Sequence, residues 1–201
     1  MEQRSLEWFA ERLGKVTASR VADIMAKTKS GYSSSRKNYM AQLLCERLTG
    51  KQEESYTNAA MQRGIDLESK ARSFYELSND PVVELGFINH PTIKMFGASP
   101  DGMVGDKGML EIKCPNTMTH IDFILSGKPD GKYITQMQVQ MACAEREWCD
   151  FVSFDDRLPI EMQFSCVRAV RDDAYIAEIE KEVTLFLSEL DELIIKLRNK
   201  A

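Results

Sequence analysis

Three residues in one short stretch have the types and spacing for hydrolytic chemistry: Asp101 in Ser99-Pro100-Asp101-Gly102, and Glu111 and Lys113 in Glu111-Ile112-Lys113. Side chains alternate along a strand, so Glu111 and Lys113 project from one face while Ile112 points to the other. With Asp101 at the end of a neighbouring strand, two carboxylates converge on a hard cation, and the backbone carbonyl of Ile112 is a natural third oxygen ligand. Mg2+ suits such a donor set, with Mn2+ as an alternative, because Mg2+ keeps several waters and accepts phosphate oxygens. The chemistry this supports is phosphodiester hydrolysis. The metal would polarise a phosphate oxygen and lower the pKa of a bound water, while Lys113 orients that water or stabilises charge. Taken alone, Glu-x-Lys is also an ordinary cross-strand ion pair worth well under ~1 kcal/mol, so the reading depends on the elements that would bring Asp101 alongside.

Those elements are strands on either side of a Gly-rich turn. The runs 82–88, 94–98 and 108–113 are short, apolar and separated by turn residues, which predicts consecutive strands, with Asp101-Gly102 and Gly105-Asp106-Lys107-Gly108 as turns. Upstream, Thr17-Ala18-Ser19 leading into 20–26 predicts a helix starting near Thr17. The polar stretch 28–35 reads as a mobile basic loop, followed by a helix over 36–48 that stops at Gly50 and another over 58–77. Helices are expected around 120–126 and 133–147, then strands over 149–154 and 161–167. A closing helix over 172–198 places Ile176, Ile179, Val183, Phe186, Leu190, Leu193 and Leu197 on one apolar stripe facing the core. This order predicts a single domain over 1–201 of α/β (α+β) class, with a mixed central β-sheet flanked by helices.

Composition narrows the function classes. No uninterrupted apolar stretch is long enough for a membrane span, and Met1-Glu2-Gln3-Arg4 lacks a secretory layout, so a cytoplasmic protein is expected. The five cysteines include no CxxC pair and read as reduced thiols rather than a disulfide framework, zinc ribbon or iron–sulfur ligand set. His90 and His120 belong to no recognisable triad. The formal net charge of -5 argues against indiscriminate DNA binding, yet residues 1–51 hold ten Lys/Arg against five acids. That asymmetry permits a basic groove on an acidic body.

Pro100-Asp101 followed by Glu111-x-Lys113 matches the PD-(D/E)xK nuclease pattern. Over about residues 5–175 the chain resembles the lambda-type exonuclease (YqaJ-like viral recombinase) family. The resemblance is carried by Trp8 with Arg12-Leu13-Gly14, Thr17-Ala18-Ser19, Gly64-x-x-x-Glu68, Ser99-Pro100-Asp101-Gly102, Leu110-Glu111-Ile112-Lys113-Cys114-Pro115 and Tyr133-x-x-Gln136-x-Gln138. It implies a restriction-endonuclease-like core. It also implies that Glu68 assists the metal directly or through water, and that Tyr133 and Gln136 line the active site near the scissile phosphate. Gln140 is four residues beyond Gln136 and reads as an exposed polar residue. By the same resemblance, Arg12, Ser19 and Ser99 hold a terminal 5′-phosphate, a role for which a helix N-terminus and an arginine are chemically suited. Met61 matches an apolar wedge at the DNA end, although a helical methionine is more often core. The implied activity is 5′-to-3′ exonucleolysis of double-stranded DNA, releasing mononucleotides and leaving 3′ single strands. The implied setting is a homotrimer ring of phage or prophage origin with a single-strand annealing partner. An endonuclease on the same scaffold and a non-catalytic DNA-binding module are the alternatives.

Overall fold

The computed structural model describes residues 3–52 and 58–200. The chain opens with α1 (Leu6–Arg12), β1 (Val16–Thr17), α2 (Val21–Met25), the short strands β2 (Lys27–Thr28) and β3 (Gly31–Tyr32), and α3 (Ser34–Thr49). Next come α4 (Ala59–Glu76), β4 (Val82–Val83), β5 (Ile88–Asn89), β6 (Phe96–Ala98), β7 (Gly102–Val104) and β8 (Gly108–Lys113). The last third holds α5 (Thr117–Ser126), α6 (Gly131–Ala144), β9 (Trp148–Phe154), β10 (Phe164–Val170) and α7 (Asp173–Arg198).

The main sheet has the order β10-β9-β8-β7-β4. β8 and β9 are parallel, joined through α5 and α6, and the other pairs are antiparallel. A smaller sheet, β1-β6-β5, and the β2-β3 hairpin complete the strands. β8 is nearly all buried because both faces are covered, as expected of a central strand with a parallel neighbour. Its Leu110 and Ile112 pack with Ala71 and Tyr75 of α4, while Met109 belongs to a layer with Phe123 of α5 and Met137 and Met141 of α6. A third cluster joins α2, α3 and α7 to the small sheet. The apolar stripe of α7 is buried from Ile176 to Leu190, whereas Leu193 and Leu197 are exposed.

Several expectations are corrected. The helical run does start beside Thr17, its N-cap, but as a 3-10 turn over Ala18–Arg20 that leads into α2, and Val16 and Thr17, β-branched and buried, form an unexpected strand parallel to Phe96 and Gly97. The stretch read as a mobile loop is instead the β2-β3 hairpin and the capped start of α3, where Ser33 Oγ accepts from the Ser35 amide. The run 82–88 is split into β4 and β5, which enter different sheets. The last strand lies three residues later than its spacing suggested, after a 3-10 turn at Ile160–Met162. Gly102 already belongs to β7 rather than to a turn; a Cβ there would collide with Val82 on β4, so the glycine permits the close strand approach beside Asp101.

α4 is tied to the sheet by a buried carboxylate. Asp155, at the end of β9, accepts from Arg63 of α4 at 2.9 Å and from Arg157 at 2.8 Å. Burial pushes its pKa up, but hydrogen bonds from Arg157 and Thr117 outweigh this and hold it well below the usual carboxylate range. A depressed folded-state pKa stabilises the fold above the unfolded value of 3.8 and is lost as pH falls through and below it. We therefore expect Asp155→Asn to lose about 1–3 kcal/mol in urea unfolding at pH 7, with the gap to wild type narrowing below about pH 4. An equal gap at pH 7 and pH 3 would refute the assignment.

Candidate active site

The hairpin β7-β8 pairs Gly102 with Leu110, which brings Asp101 alongside Glu111 and Ile112. Asp101 Oδ2 accepts the Ile112 amide hydrogen at 2.7 Å, locking the acid onto the central strand. Burial first, then the charge of Glu111, push the Asp101 carboxyl up to about 8, partly offset by Lys113. Crowded carboxylates of this kind favour a cation between them.

Glu111 is fully buried, beneath α6 in an otherwise apolar layer. Its Oε1 accepts from Gln136 Nε2 at 2.6 Å and from Lys113 Nζ, and its Oε2 accepts from Gln140 Nε2 at 2.6 Å. Lys113 sits over the Tyr133 ring, 5.5 Å from its centroid. Burial lowers its pKa, but Glu111 and Asp101 more than reverse this, so the ammonium stays charged at neutral pH. Tyr133 packs on Phe151 and faces the same cleft as Ile112, Lys113 and Glu68.

Glu68, on α4, lies at the rim of that cleft with its carboxylate paired to Arg4 at 2.7 Å and to Arg72 at 3.3 Å. It is engaged by two arginines, yet it lies close enough to Asp101 for its charge to help raise the Asp101 carboxyl. Among the described residues, no group of three or more His, Cys, Asp or Glu side chains forms a metal cage. The remaining donor set is two carboxylates and the Ile112 carbonyl, all hard oxygens. It fits Mg2+, which is bound through one or two carboxylates together with water and phosphate oxygens.

A second pocket lies on the N-terminal side of Asp101. Arg12 NH1 and Trp8 Nε1 both donate to Ser99 Oγ at 3.0 Å, and the Arg12 guanidinium stacks 4.0 Å from the Trp8 ring centroid. Burial lowers the Arg12 pKa to about 10, which leaves the group charged at neutral pH. Ser19 lines the same pocket, its hydroxyl 3.5 Å from that of Thr17. The Thr17 side chain makes no cap hydrogen bond to the 3-10 turn that starts at Ala18, and the Thr17 amide donates to Tyr39 Oη at 3.1 Å. Met61, half exposed near the start of α4, borders both the Arg12 pocket and the Glu68–Lys113 cleft rather than lying in the core.

Gln140 is a site residue that sequence reasoning missed. It is buried and bonded to Glu111, not exposed. The available signal was its i+4 spacing from Gln136 on a helix otherwise rich in apolar residues. Gln138 faces away, its amide bridging the Val170 carbonyl and the Asp172 amide at the entry to α7.

The YqaJ-like viral recombinase domain family matches residues 7–147. An alkaline exonuclease, LHK-Exo from Laribacter hongkongensis, is 61% identical with a TM-score of 0.92, covering 98% of this chain and 97% of that one. The same exonuclease in complex with dAMP gives the same figures. A phage-related exonuclease from Haemophilus somnus 129PT shares the fold at 18% identity, with a TM-score of 0.75 over 91% of this chain and 96% of that one. Uncharacterized protein R354 of Acanthamoeba polyphaga mimivirus is 26% identical over 168 residues, 75% of this chain; the match spans 29% of that protein's length. On a domain match that covers most of its length, the chain belongs to the YqaJ-like viral recombinase family.

Proposed function

We propose that the chain is a Mg2+-dependent exonuclease that digests double-stranded DNA from a 5′-phosphorylated end, releases 5′-mononucleotides and leaves a 3′ single strand. DNA exonuclease activity agrees with the family and with the alkaline exonuclease that matches nearly the whole chain. The observation that carries the finer reading is the joining of two sites by Ser99-Pro100-Asp101: the acid–lysine centre on one side, the Arg12–Ser99 pocket on the other.

In this reading Asp101, Glu111 and the Ile112 carbonyl hold the metal, with Glu68 assisting through water. The bound ion supplies polarisation of the phosphate and an activated water. Lys113, kept protonated by its acidic neighbours, stabilises charge on the scissile phosphate, and Gln136 holds Glu111 in place. Tyr133 shapes the wall under Lys113 and faces the phosphate. Arg12, Ser99 and Ser19 hold the terminal 5′-phosphate, so that the chain end fixes which bond is presented. Met61, exposed and bordering both sites, would act as a wedge at the terminal base pair. The whole chain is read as one nuclease domain, Mn2+ as an alternative cofactor, and the assembly as a homotrimer ring around DNA. The product strand would pass to a single-strand annealing protein in a bacterial cytoplasm, with phage or prophage origin. No helix among the described residues is long and apolar enough to cross a membrane.

Linear duplex labelled at the 5′ or the 3′ terminus, digested with and without Mg2+, tests activity, cofactor and polarity together. We expect metal-dependent release of the 5′ label as mononucleotide and no cutting of closed circular duplex; cleavage of circles would favour an endonuclease. Lys113→Ala should slow cleavage by at least ~100-fold while leaving DNA binding in Ca2+ intact, and normal turnover would refute its assigned role. Arg12→Ala should reduce the preference for 5′-phosphate over 5′-hydroxyl ends by roughly 10-fold or more, and an unchanged preference would mean that the phosphate is held elsewhere.

A further inference from the structure

We infer that Gln140 is a positioning residue for the metal site: its amide fixes the one lone pair that Glu111 has left to offer a cation. The inference rests on the metal-dependent reading above. An ionised carboxylate offers about four acceptor positions. On Glu111, Lys113 and Gln136 occupy both positions of Oε1, and Gln140 occupies one position of Oε2 at 2.6 Å. The remaining lone pair is therefore on the atom that Gln140 holds, and its direction is set by where the Gln140 donor sits.

The orientation of this amide is enforced. Turning it over would put its oxygen against the Glu111 carboxylate, so Nε2 must face the acid. The other end gains nothing: Gln140 Oε1 is buried and has no hydrogen-bond partner among the described residues. A buried acceptor left in this way is destabilising. Position 140 lies in a buried run that includes Met137, Val139 and Met141, where an apolar side chain would avoid that penalty but leave Glu111 Oε2 without its donor. The glutamine therefore serves Glu111 alone: its amide satisfies the buried Oε2 and fixes that oxygen's orientation. Gln136 cannot substitute for it, because it acts on the saturated oxygen. Mg2+ demands near-ideal octahedral geometry, so a loosened Oε2 should lower its affinity directly.

The test is Mn2+ binding to the full chain without DNA, followed by electron paramagnetic resonance, for wild type, Gln140→Met and Asp101→Asn. It is paired with the Mg2+ dependence of digestion of 5′-phosphorylated duplex. For Gln140→Met we expect roughly 10- to 100-fold weaker Mn2+ binding and a matching rise in the Mg2+ needed for half-maximal rate. The KM for DNA should not move, and kcat should recover to within a few-fold at saturating Mg2+. A residue that merely holds the fold would leave metal affinity per folded molecule unchanged and give an activity loss that Mg2+ does not restore; either result overturns the inference. If Gln140→Met does not fold, Gln140→Asn, which keeps the amide but draws it back by one methylene, should show the same weakened Mn2+ binding. If Asp101→Asn loses Mn2+ while the Gln140 variants keep it, only the role of Gln140 fails. If wild type and Asp101→Asn bind Mn2+ alike, the metal-site reading fails and takes this inference with it.

Discussion

A carboxylate buried in an apolar layer must be matched donor for donor, and Glu111 imposes that requirement on everything around it. Isolated, its charge would cost several kcal/mol in such surroundings. Lys113 supplies the opposite charge from two positions along the same strand, and α6 supplies two amides one turn apart. This explains why α6 alternates between long apolar side chains and glutamines. Met137 and Met141 fill the layer, while Gln136 and Gln140 reach the acid within it. The outcome is a carboxylate with a fixed rotamer on a central, nearly fully buried strand, a rigid base for chemistry that depends on sub-ångström placement.

The second constraint is a change of sheet. The chain leaves the small sheet at Ala98 and enters the main sheet at Gly102, and the crossing residues are Ser99, Pro100 and Asp101. Ser99 faces Trp8 and Arg12, while Asp101 is clamped to the Ile112 amide. One three-residue junction thus sets the distance between the two pockets. α1, which carries Trp8 and Arg12, is further held to the junction by Gln3, whose side chain donates to the Pro100 and Leu85 carbonyls. In the proposed reaction, that fixed spacing converts recognition of a chain end into the choice of bond to be cut.

The electrostatics agree with a protein acidic overall that nonetheless engages DNA. Two positive groups face the positions proposed for phosphates, Lys113 beside Asp101 and Glu111 in the centre and Arg12 in the pocket, both charged at neutral pH. Arg4 and Arg72 are engaged with Glu68 at the rim. The formal net charge of -5 disfavours broad adhesion to duplex and fits a contact confined to a few phosphates.

The sequence by itself determined the strand that carries the candidate active site and its company. Alternation placed Glu111 and Lys113 on one face, turn residues marked 105–108 ahead of β8 while β7 itself reads as a turn, helical composition marked α4, and periodicity marked α7, because these are local properties of period and capping. Strand and helix boundaries near residues 17–35 and 82–88 were misread, since pairing with distant strands overrides local preference there: Val16 and Thr17 are extended because Phe96 and Gly97 lie beside them. Only the tertiary structure decided that Gln140 is buried against Glu111, 29 residues away. It also decided that Glu68 faces two arginines and that Met61 stands exposed between two pockets. A polar residue on a helix has the same local spacing whether it faces water or a buried charge, and only the packing of α6 onto β8 makes the distinction.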